Sequence, residues 1–229
     1  MKKIKAIDVK DLVNKCFELG EQLKEDFEEN DVRYLFYQMC GSECLTYIAL
    51  LKAIEIKLQE VEFWKGDIGV KTEIDEKFIS DRQYEIHQSY RTAFYLATMI
   101  NYETCIRAIA EKLVTNYVFT NSIKDVCEQL IHSCSLDSKY EKLNSILHNI
   151  RNAMHNGWIH RHNDKLITFN NITFDFKKDK PIAIKNEDLE MVLIQLLIFW
   201  KELVQSVKVK EMNYIEHPNC PFFNLNDNI

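Results

Sequence analysis

The sequence predicts an all-α protein: a helical bundle of about six helices, with a small β-hairpin inserted before the last of them. Three observations carry that class. Apolar residues recur at i, i+3, i+4 and i+7 in segment after segment. All three prolines (Pro181, Pro218, Pro221) fall in the last quarter of the 229 residues, so the first 180 hold no obligatory helix breaker. Only between about 166 and 176 does the apolar period shorten to two. With five glycines and no Ser/Gly-rich or Pro-rich stretch, the chain reads as one domain over 1–229, with a tail from 212.

The first helix, about 8–29, aligns Val9, Leu12, Cys16, Leu19, Leu23 and Phe27 and ends in a charged run. The second, about 31–63, carries the seam Tyr47, Leu51, Ile54, Leu58 and Val61, with Gly41-Ser42 as a point where it can bend. Residues 64–80, with Gly66 and Gly69, have no clear period and read as a connection. The third helix, about 82–118, would be about 55 Å long at ~1.5 Å per residue, so it should bend or extend past the core. A shorter fourth helix shows the stripe Ile123, Val126, Cys127, Leu130, Ile131 and Cys134. The fifth opens on Ser138-Lys139-Tyr140-Glu141, the pattern of a capping box, and closes at Asn156-Gly157, where glycine suits the left-handed position after a helix.

Residues 166–169 and 172–176, joined by Asn170-Asn171, form the expected hairpin, and residues 181–184 can add an edge strand within a β segment of about 165–184. The last helix starts at Asn186 as N-cap, with Glu187, Asp188 and Glu190 in its first turn. It is apolar almost all round over 191–200, which implies central burial or a subunit interface.

Composition narrows the setting. Seven scattered cysteines without a secretory signal point to a reducing compartment, and the longest apolar run is about half what a membrane span needs. The expectation is a cytoplasmic protein with no membrane partner. Cys40 and Cys44, one helical turn apart, read as small core residues, and the tyrosines of the third helix as packing or a dimer interface. A net charge of −6 argues against a broad duplex-binding face. The stretch 142–165 departs from that average: it holds Lys142, Arg151, Arg161 and Lys165, four of the seven histidines (His148, His155, His160, His162) and only one acid, Asp164.

On the fifth helix Leu143, Ile146, Leu147, Ile150 and Met154 make the core stripe. His148, Arg151, Asn152 and His155 fall in a separate arc of about 100°, with Arg151 and His155 one turn apart on one face. By themselves these two residues also fit a solvated helix end, with Arg151 paired to an acid and His155 capping the last carbonyls.

Arg151-Asn152-Ala153-Met154-His155-Asn156-Gly157, near the end of a long helix in an all-α bundle, resembles the arginine–histidine motif of the HEPN superfamily, in a bacterial branch of it. The resemblance implies a homodimer whose two motif helices face each other and form a cleft that cleaves single-stranded RNA without a metal or cofactor, as a toxin (with an antitoxin partner) or a defence effector. It implies that Arg151, Asn152 and His155 are catalytic; His148, Asn156, His160 and Arg161, in the same basic, histidine-rich stretch, are the expected substrate contacts. The motif's usual spacer is four to six residues, and here it is three. The alternative within the same resemblance is an inactive bundle that binds a nucleotide or a protein partner in the cleft. A metal site at His155, His160 and His162 with Asp164 matches no structural zinc spacing, so no metal is expected.

Overall fold

A computed structural model describes residues 9–115, 117–118 and 122–218. The expected helix start near residue 8, Cys220, Pro221 and the tail from 219 lie outside the described residues. The fold is an all-α bundle with six α-helices of more than ten residues: α1 (Lys10–Leu23), α2 (Val32–Leu58), α3 (Glu76–Leu113), α4 (Ile123–Ser133), α5 (Lys139–His155) and α6 (Asn186–Gln205). A one-turn helix α7 (Val207–Lys210) follows. Buried apolar side chains from all seven join one contiguous core. Among the described residues, no helix is long and apolar enough to cross a membrane.

α1 ends six residues before the expected point. Its charged continuation places Glu25, Asp26, Glu28 and Glu29 where the negative end of the helix dipole disfavours acids. Turning there lets Phe27 bury its ring beneath the Arg33 guanidinium, 4.3 Å from the ring centre. α2 starts at the cap Asp31, whose carboxylate accepts from Arg33 N, and runs unbroken through Gly41-Ser42.

α3 extends past the core, as its length requires. Its first buried side chain is His87, and beyond Leu51 α2 buries only Leu58, so the two make an arm. Trp64 closes the tip: it lies in a π-helical turn (Phe63–Asp67), donates to Leu58 O at 3.0 Å and meets Phe78 edge-on at 5.1 Å. α3 begins six residues earlier than the apolar period suggests because Asp75 caps Phe78 N at 2.7 Å.

The fifth helix corrects one expectation and meets another. Ser138 makes no side-chain cap; it sits in the helical region, and Asp137 Oδ1 accepts from Lys139 N at 2.8 Å instead. At the other end Gly157 takes φ +66° and donates to Met154 O, which is the left-handed termination that glycine permits.

The hairpin pairs β2 (Lys165–Phe169) with β3 (Ile172–Phe176). Asn170 and Asn171 both have positive φ, as a tight two-residue hairpin turn demands. The edge strand expected from 181–184 does not join this hairpin. Lys180–Pro181, here β4, pairs instead with β1 (Ile159–His160), in register Ile159↔Pro181 and His160↔Lys180. The N-cap of α6 is Lys185, because Asn186 turns its side-chain oxygen to Arg91 Nη1 at 2.5 Å. α6 is centrally buried, with Leu189, Val192, Leu193, Leu196, Leu197, Phe199, Trp200, Leu203 and Val204 all enclosed. Most of its apolar circumference is therefore met within one chain, while Met191, Ile194 and Ile198 stay partly exposed.

Candidate functional site

The outer face of α5 lies against α3 and α4 on one side and the loop between β1 and β2 on the other. Arg151, half-buried, pairs through Nη2 with Glu103 Oε2 of α3 at 3.3 Å. The other oxygen of Glu103 accepts from Arg107 Nη2 at 2.9 Å, and Arg107 Nη1 donates to the Tyr117 hydroxyl at 3.3 Å. One carboxylate thus serves two guanidiniums, so the group keeps a net positive charge while Arg151 is held in place.

Asn152 stands between two imidazoles. Its Nδ2 lies 2.9 Å from His148 Nε2 and 3.5 Å from His162 Nε2. His148 is half-buried; its Nδ1 is sealed from solvent and has no hydrogen-bond partner. Burial, then Arg151, Lys165 and His162, hold the His148 pKa below its ordinary value, against the weaker opposite pull of Glu103. His155 is exposed at the end of the helix and its side chain bonds to no described residue, and the Asn156 amide caps Asn152 O at 2.7 Å.

The remaining expected contacts are placed differently. Arg161 is exposed and pairs with Asp179 at 3.1 Å. His160, expected at a surface, is fully buried: its ring packs on Phe176 at 5.5 Å and its Nε2 bonds Asn163 O at 3.0 Å. It offers no nitrogen to a surface ligand. Among the described residues, no three His, Cys, Asp or Glu side chains converge so as to hold a metal.

The arc read from helical spacing is present, but two partners were not legible in it. Glu103 lies on another helix at no fixed spacing from Arg151. His162 reaches Asn152 only because its loop folds back over α5. Cysteine chemistry is disfavoured here. Cys127, the thiol that lines the narrow cleft beside Arg151 and His148, is pushed up to about 12 by burial and stays protonated.

The neutral state of His148 links the site to stability. The folded chain holds the imidazole uncharged where the unfolded chain would protonate it. Stability is therefore fully present above the unfolded value, about 6.5, and is lost as pH falls from there through the folded value. His217 shifts the same way through burial. The melting temperature should fall between about pH 7.5 and pH 5.5, and His148→Gln should narrow that fall. An identical fall in the variant would assign the acid sensitivity elsewhere. No family model, no curated protein and no solved structure matches the chain.

Proposed function

We propose that the outer face of α5 binds single-stranded RNA and cleaves it without a metal, as the HEPN-like motif implies. The observation that carries this reading is the Arg151–Asn152–His155 face itself. Arg151 is fixed by Glu103, His155 is free at the helix end, and the loop histidine His162 is added alongside. A guanidinium supplies paired donors for a phosphate, and an imidazole transfers protons near neutral pH. Incubation with single-stranded RNA in EDTA should give fragments ending in 2′,3′-cyclic phosphate; a strict metal requirement would sink the mechanism.

Two copies would bring two such faces together, since the resemblance implies a shared cleft. Light scattering at micromolar concentration should then return about twice the 27.2 kDa chain mass. A strictly monomeric protein would remove the shared cleft. Most of α6 is buried within one chain, so the dimer is proposed from the motif rather than from that helix.

One observation favours a second reading, an inactive module that binds a nucleotide or a protein. The Arg151–Glu103 pair answers part of the charge that a phosphate would need, and the three-residue spacer is shorter than the motif's usual one. Saturable nucleotide binding with no cleavage of any RNA would select it. A role as a toxin or defence effector belongs to the first reading and predicts growth arrest when the wild type, but not a cleavage-dead variant, is expressed.

A further inference from the structure

We infer that His162, carried onto the α5 face by the loop between β1 and β2, is a second proton-transfer residue of this site, acting beside Asn152 together with His155. The inference rests on the RNA-cleaving reading above. In that reaction the 2′-oxygen attacks phosphorus, the O2′–P bond forms and the P–O5′ bond breaks. The 2′-hydroxyl proton passes to a base, and the departing 5′-oxygen takes a proton from an acid. In-line displacement puts the two oxygens on opposite sides of the phosphorus, so one imidazole cannot reach both.

The chain supplies two solvent-exposed imidazoles beside Arg151 and Asn152. His155 lies one turn beyond Arg151 along α5. The Asn152 amide turns the other way, toward His148 one turn back, and His162 stands against that amide at 3.5 Å. Both imidazoles thus adjoin the Arg151–Asn152 turn of α5, His155 one turn beyond Arg151 and His162 against the Asn152 amide.

Of the two imidazoles that Asn152 bridges, His162 is the one open to solvent. His148 is enclosed, with one ring nitrogen held by Asn152 and the other sealed. His148 and Asn152 are thus positioning residues. The loop that carries His162 is fastened at both ends. Asp179 N donates to His160 O at 2.7 Å, and Lys178 N donates to Asp164 Oδ1 at 2.7 Å. The buried His160 braces it from below, bonding Asn163 O while its ring meets His162 at 5.7 Å. That arrangement gives His160 a structural task, and it presents an exposed imidazole to α5 at a defined place, which a solvated loop histidine would not have.

The test is single-turnover cleavage of a single-stranded oligouridylate in EDTA by wild type, His155→Ala and His162→Ala across pH. Binding of the cleavage-resistant 2′-deoxy analogue is measured in parallel. His162→Ala should slow cleavage by about 10²-fold or more and remove one limb of the pH–rate profile. Melting temperature and analogue affinity should stay near wild type, because His162 is exposed. Cleavage by His162→Ala within about threefold of wild type, with His155→Ala silent, overturns this inference and leaves the RNA-cleaving reading standing. A loss matched by an equal loss of analogue binding also overturns it, by making His162 a binding residue only. No cleavage by the wild type of this or any other RNA tested overturns both.

Discussion

Replacing Arg33 with alanine should destabilise the fold by about 3–5 kcal/mol, the usual cost of leaving one partner of a buried ion pair uncompensated. For a chain of this size that corresponds to a melting temperature lower by roughly 6–20 °C. The side chains of Arg33 and Asp31 are 4% and 2% exposed and meet through two contacts, Nη2 to Oδ2 at 2.5 Å and Nε to Oδ1 at 2.7 Å. The same guanidinium holds the chain that follows α6, donating to Val209 O at 2.8 Å, Met212 O at 3.1 Å and Asn213 O at 3.3 Å. Asp31 completes the clasp by accepting from Ile215 N at 3.2 Å, and Val32 N donates to Ile215 O at 2.9 Å.

Removing Arg33 thus strands a buried carboxylate and several carbonyls together. The double variant Asp31→Asn, Arg33→Met should recover part of the loss, because it removes the stranded charge but restores no donor to the carbonyls. Chemical denaturation of the two variants beside the wild type measures this. A loss under about 1 kcal/mol for Arg33→Ala would mean that water reaches Asp31.

This clasp also shows where sequence reading stops. The stripes of α4 and α5, the left-handed Gly157 and the Asn170-Asn171 turn were legible because a local period or a local dihedral demand specifies each. Arg33 looks locally like a charge at the start of a helix, and nothing within ten residues indicates that its partners lie beyond α6. β1 was missed for the same reason. It is two residues long, and its partner β4 lies on the far side of the hairpin, so no period could reveal it. At Ser138 a local pattern misled: the four-residue match was complete, yet the preceding Asp137 offered a shorter route to the first free N–H.

The candidate site divides along that line. Spacing alone put His148, Arg151, Asn152 and His155 on one face of α5. It could not separate the solvent-facing His162 from the buried His160, two residues apart in a stretch where every side chain looked equally exposed. Their fates differ because β1 directs His160 inward against Phe176, while the loop beyond it turns back over the helix.

His155→Ala should nearly silence RNA cleavage, with a loss of about 10²–10⁴-fold, the range expected when a general acid–base group is removed. The fold should be unaffected, since His155 is exposed and outside the core. Arg151→Lys should also be poorly active, for a reason the structure sharpens. A guanidinium can keep one edge on Glu103 Oε2 and turn its other donors to a phosphate, whereas an ammonium is a single point of charge that the glutamate can claim outright. Glu103→Gln separates the two contributions. If Glu103 only neutralises Arg151, the variant should bind RNA more tightly and cleave at least as well. If it fixes the guanidinium in place, cleavage should fall while binding holds, because a misplaced phosphate donor loses the transition state before it loses the ground state. Cleavage that survives both His155→Ala and Arg151→Lys would place the activity away from α5.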